Sequence, residues 1–175
     1  MNPVKVAIVE DEEIIRQSLS EFLEKDSSIE VVGLYSKAED FMLNFEKLTA
    51  DVILMDINLP GKSGISCVSE LKPLRPSVQY MMCTSYDNTE KIFESLKVGA
   101  TGYILKNAAP QKIIEAIHAM TDGFTYSILP EKKTTTNTQT LANLLVVLEA
   151  IPTKDKLKDP GRNEQTVDLV LNQAS

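Results

Sequence analysis

The chain has 175 residues, room for one ordinary domain and a short appendage, and 43% hydrophobic content, enough for a sizeable core. Its net charge of −7 is unevenly spread: residues 1–124 hold 12 Lys+Arg against 19 Asp+Glu, residues 125–175 hold 6 against 6. Such an acidic body argues against general affinity for nucleic acid or anionic membrane and leaves room for a cation.

In chain order, apolar runs alternate with segments of helical period. The N-terminus, "MNPVKVAIVEDEE", turns acidic too early for a secretory signal, and its residues 4–9 read as a first strand. Ile15, Leu19, Phe22 and Leu23 then share one helical face. Residues 29–35 form the second strand, 37–48 the second helix, 52–55 the third strand and 63–71 the third helix. A fourth strand over 79–83 precedes a helix with Ile92, Phe93 and Leu96 on one side. A fifth strand over 102–105 precedes a helix whose Ile113, Ala116, Ile117 and Met120 follow the i, i+3, i+4, i+7 rule. Cys67 and Cys83 have no metal-like spacing and are expected as buried free thiols. His118, off the apolar face of the fifth helix, is expected at the surface. No apolar run approaches the ~20 residues of a membrane span, so a soluble cytoplasmic protein is expected.

Five βα units in this rhythm imply an α/β fold, a doubly wound parallel sheet with helices on both faces. In such a sheet ligands bind outside the carboxyl ends of the strands. Glu10, Asp11 and Glu12 follow the first strand, Asp56 the third, Thr84 and Ser85 the fourth, and Lys106 the fifth. An acid after a strand is ordinarily a helix cap, and a lysine there ordinarily faces water. The placement of all of them at strand ends is what singles them out. Glu10, Asp11 and Asp56 in one crevice would repel strongly, and a hard divalent cation such as Mg²⁺ relieves that repulsion. A carboxylate at Asp56 can attack a phosphoryl group. Lys106 and the Thr84 hydroxyl can then hold phosphoryl oxygens.

The segments "VAIVEDEE", "DVILMDINLPGKSG", "CTSYDN" and "GATGYILK" resemble the receiver domain of bacterial two-component response regulators, from about Val4 to Gly123. The resemblance implies a flavodoxin-like five-stranded sheet in the order 2-1-3-4-5. It implies Asp56 as phosphoacceptor, and Glu10 and Asp11 as the acidic pair, with Asp11 the direct Mg²⁺ ligand. The resemblance also implies that Asn58 supplies a backbone carbonyl to the metal. It implies Thr84 as the switch hydroxyl, Tyr103 as a switch aromatic that rotates between exposed and buried states, and Lys106 as the pocket lysine. It also implies a sensor histidine kinase as phosphodonor, a possible homodimer, and no enzymatic activity beyond the domain's own phosphorylation and dephosphorylation. The receiver is expected over 1–123 and a threonine-rich linker over 124–139. A short tail over 140–175 is expected with two helices, "LANLLVVLEAI" and "NEQTVDLVLNQA".

"LKNAAPQKIIEAIHAMTDG" resembles receivers that precede a LuxR-type helix-turn-helix domain. The tail lacks that domain's basic recognition helix. None of Lys132, Lys133, Lys154, Lys156, Lys158 or Arg162 falls inside either tail helix. DNA binding by the tail is therefore not supported, and a phosphorylation-controlled switch of protein contacts is the leading expectation. The alternative is a transcription regulator with a degenerate or cryptic DNA-binding tail.

Overall fold

The structure is a computed structural model that describes residues 2–85, 89–123 and 126–127. Strands β1 (Val4–Val9), β2 (Ile29–Tyr35), β3 (Val52–Asp56), β4 (Gln79–Thr84) and β5 (Gly102–Leu105) alternate with helices α1 (Glu13–Leu23), α2 (Ala38–Asn44), α3 (Gly64–Leu71), α4 (Thr89–Lys97) and α5 (Pro110–Thr121). The strands stand in the order β2-β1-β3-β4-β5, all parallel. This is the expected doubly wound order. A two-residue strand, β6 (Tyr126–Ser127), extends the sheet beyond β5 and is also parallel. It falls within the stretch expected as a linker. The expected tail helices lie outside the described residues.

The continuous apolar runs of β1, β3 and β4 divide by strict alternation. Ala7, Val9, Ile53, Met55, Tyr80, Met82 and Tyr103 pack in one cluster with Phe41 and Phe45 from the α2 segment, Val68 and Leu71 of α3, and Ile92 and Leu96 of α4. Val6, Ile8, Val52, Leu54, Met81, Cys83 and Ile104 pack in the other with Leu23 of α1 and Ile113, Ile117 and Met120 of α5. Both faces of the sheet are covered, which is why the strands read as unbroken apolar runs. Among the described residues no helix is long and apolar enough to cross a membrane.

Five boundaries differ from expectation, two of them because α2 and α3 begin one residue later, at Ala38 and Gly64. β3 and β4 each run one residue further, to include Asp56 and Thr84, because both keep ladder partners: Asp56 opposite Cys83, Thr84 opposite Leu105. α2 stops at Asn44, short of Leu48. There Arg75 Nη1 donates to the carbonyls of Phe45 (2.9 Å) and Leu48 (2.6 Å), so the chain can leave the helix with those acceptors satisfied. Ser63 is the N-cap of α3 and accepts the amide of Ser66 at 3.2 Å.

Candidate functional site

The parallel register brings the carboxyl ends of β1, β3, β4 and β5 to one rim. Val9 lies opposite Met55, Asp56 opposite Cys83, and Thr84 opposite Leu105. The Lys106 amide then donates to the Thr84 carbonyl at 2.8 Å. Asp56 ends a strand buried at every position, and its carboxylate is buried too, at 4% exposure.

A single glycine makes room for the chain to turn away. A Cβ on Gly64 would stand 2.0 Å from the Asp56 carbonyl oxygen and 2.8 Å from Met55 Cγ. The Gly64 amide donates to the Ile57 carbonyl at 3.1 Å. The first residue of α3 is thus pressed against the backbone of the acid that ends β3, an approach only glycine permits.

Around Asp56 the charges interlock. Lys106 Nζ lies 2.6 Å from Glu10 Oε2 and 3.0 Å from Asp56 Oδ2. The Asn58 amide donates to Asp56 Oδ1 at 3.3 Å, and the Glu12 amide to Glu10 Oε1 at 3.2 Å. Glu10 therefore does part of the capping work that an acid after a strand usually does. Asp11 is exposed beside this buried pair, and one oxygen from each of Glu10, Asp11 and Asp56 lies within 4.8 Å of the others.

Burial pushes the Glu10 carboxyl above its usual range, and the Asp56 charge adds to that against the pull of Lys106. Burial also works against the Lys106 charge, but its bonds to Glu10 and Asp56 outweigh it, and the net shift is upward. By formal charge, the buried Glu10 and Asp56 carboxylates together outnumber the one ammonium of Lys106. Oxygen donors gathered at this spacing, with charge to spare, suit a hard divalent cation.

The structure thus brings together Glu10, Asp11, Asp56, Asn58 and Lys106. Thr84 is buried (1% exposed) at the end of the adjacent strand, and Tyr103, one strand further, is buried as well (1%). Of the two states expected for Tyr103, this is the buried one. Cys67 and Cys83 are buried free thiols, each pushed up to about 12 by burial, hence inert at neutral pH.

Two residues differ from the sequence reading. His118, expected at the surface, is half-buried, with Nε2 3.0 Å from Ser28 Oγ. Arg16 belongs to no motif in the sequence, yet its Nη1 donates to the carbonyls of Glu10 (2.6 Å) and Asp11 (3.2 Å). Its only sequence signal is spacing, one turn into the helix that follows the acids.

Fold and pocket define a class before any name is needed: a doubly wound parallel domain with a carboxylate cluster and a lysine at its carboxyl rim. Residues 6–118 match the response regulator receiver domain, and the chain belongs to that family. It is 33% identical over 115 residues to the response regulator protein VraR of Staphylococcus saprophyticus, covering 66% of this chain and 55% of that protein. It is 29% identical over 120 residues to the uncharacterized transcriptional regulatory protein YxjL of Bacillus subtilis, covering 69% of this chain and 55% of the relative. The chain thus spans about half the length of these curated relatives. The receiver domain of RcsB from Salmonella enterica, solved with the phosphomimetic BeF3-, superposes with a TM-score of 0.68 at 26% identity, covering 73% of this chain and 94% of that one. The non-phosphorylated RcsB receiver of Escherichia coli gives the same TM-score, 0.68, at 26% identity, covering 73% of this chain and 99% of that one.

Proposed function

We propose that this response regulator receiver accepts a phosphoryl group on Asp56 from a sensor histidine kinase. The observation that carries the reading is Asp56 itself: a buried carboxylate fixed at a strand end, 3.0 Å from Lys106 and beside two further acids. An Asp56 carboxylate oxygen attacks phosphorus, the bond from phosphorus to the donor imidazole breaks, and the imidazole leaves with the bond's electron pair. Mg²⁺ held by Glu10, Asp11, Asp56 and the Asn58 carbonyl would neutralise charge on the phosphoryl oxygens.

The protein's own groups do the rest. The rigid end of β3 holds the nucleophile, and the Asn58 amide at 3.3 Å orients it. Lys106 already bridges two carboxylates and supplies a point charge to a phosphoryl oxygen. Once Asp56 carries the group, the Thr84 hydroxyl has an anionic acceptor. Its inward movement and the position of the Tyr103 ring are the bistable element that the new charge biases. The face made by α4, β5 and α5 is where that change would be read, by a dimer partner or another protein. On this reading the protein is cytoplasmic and no enzyme toward other substrates. The second reading, control of transcription, is supported by relatives such as YxjL, whose names say they are transcriptional regulators.

The test is incubation with Mg²⁺ and a small acyl phosphate, followed by intact mass. The parent should gain one phosphoryl mass, and Asp56→Asn none. Equal labelling of the two would place the acceptor elsewhere.

A further inference from the structure

Arg16 has no part in the chemistry above, yet it grips the pocket's own loop. Its backbone amide donates to the Glu12 carbonyl at 2.9 Å, so the residue belongs to the first turn of α1. Its side chain reaches back past that turn. One nitrogen, Nη1, donates to two consecutive carbonyls, Glu10 at 2.6 Å and Asp11 at 3.2 Å. The two carbonyls belong to the residues that carry two of the three clustered carboxylates.

The choice of acceptor matters. An arginine beside an acidic cluster ordinarily pairs with a carboxylate. Here the guanidinium bonds backbone, and among the described residues Lys106 is the cation that pairs with Glu10 and Asp56. The Asp11 carboxylate is left exposed at the mouth of the cluster. A free strand-to-helix loop could turn that carboxylate away, and bonds to both carbonyls remove this freedom.

We propose that Arg16 is a positioning residue for the cation: it fixes the backbone between β1 and α1 so that Glu10 and Asp11 converge with Asp56, and it does so without neutralising them. This rests on the reading of the pocket as a Mg²⁺ site. Groups that orient metal ligands typically matter by about 10–100-fold in affinity.

The sign of the effect separates positioning from charge. Replacing Arg16 with a neutral residue leaves the neighbourhood more negative, and charge alone would tighten Mg²⁺ binding. Loss of positioning would weaken it. Mg²⁺ is titrated calorimetrically into the full chain for the parent, Arg16→Gln and Arg16→Lys, with thermal melts in chelator as a metal-free readout of folding. Arg16→Gln is expected to bind Mg²⁺ about tenfold more weakly. Arg16→Lys, which keeps the charge but not the fork, should fall between it and the parent. Equal or tighter binding by Arg16→Gln overturns the proposal. If Arg16→Gln does not fold, Arg16→Lys decides: weakened binding supports positioning, and binding equal to the parent overturns it. A parent that binds no Mg²⁺ removes the cation reading, and this inference falls with it.

Discussion

Two polar clusters sit at opposite ends of the sheet, and each links three side chains from distant segments. At the carboxyl rim, Lys106 joins Glu10 and Asp56. At the amino end, Ser28 Oγ donates to Asp26 Oδ1 at 2.6 Å, and His118 of α5 stands 3.0 Å away with Nε2. The second contains the residue types of a hydrolytic triad, in the wrong order. The serine proton goes to the aspartate, so the imidazole faces the hydroxyl as a donor and not as a base. Ser28 bonds hold the Asp26 carboxyl below its usual range. None of these three residues is buried. This cluster closes on itself and ties α5 to the turn before β2. The rim cluster is buried and carries surplus charge, so it is open to a cation or a phosphoryl group. Burial and charge imbalance, more than the residue types, separate a site from a staple.

The largest contrast should come from breaking the rim. Lys106→Met leaves two buried carboxylates without a cation and is expected to cost about 3–5 kcal/mol at neutral pH in denaturant unfolding. The loss should be pH-dependent. Glu10 already titrates above 4.5, and losing Lys106 removes an influence that lowers it. A raised folded-state value means the native state holds the proton longer than the unfolded one. Stability therefore falls as pH rises from 4.5 through the folded value, and the deficit should shrink on acidification. Mg²⁺ should recover part of it at neutral pH.

Gly64→Ala presses a methyl group onto the Asp56 carbonyl and should cost about 1–3 kcal/mol, with slower acyl phosphate labelling. Asp11→Asn should weaken Mg²⁺ binding about tenfold, some 1.4 kcal/mol, while barely moving the melt in chelator. The smallest effects belong to the staple. Ser28→Ala and His118→Ala should each shift the melting temperature less than Gly64→Ala and leave labelling unchanged. The Asp26 contribution is present above 3.8 and is lost as pH falls through its depressed folded value, so the Ser28→Ala deficit should fade there. A labelling defect in either staple variant would erase the distinction between the clusters.

Much of this was legible in the sequence, and for identifiable reasons. Buried parallel strands need apolar side chains on both faces, so β1, β3 and β4 announce themselves. An acid ending such a run, as Asp56 does, has no packing reason to be there. What stayed hidden depends on partners that periodicity does not report. α2 stops early, and Arg75, about thirty residues on, bonds the carbonyls of Phe45 and Leu48 in the segment that follows it. Arg16 acts on backbone oxygens, which every residue offers. His118 has the spacing of a surface position, and the partner of its ring, Ser28, lies 90 residues away in the chain. β6 is two residues long, too short for any alternation to show.

That short edge strand has a mechanical consequence. Gly102 lies opposite Tyr126 and Tyr103 opposite Ser127, in parallel. Residues 126–127 therefore run in the direction of β5, toward the rim that holds Asp56, and pair with Tyr103's own strand. A shift of β5 by a fraction of an ångström would be felt directly by β6, with no need to travel through the body of the domain.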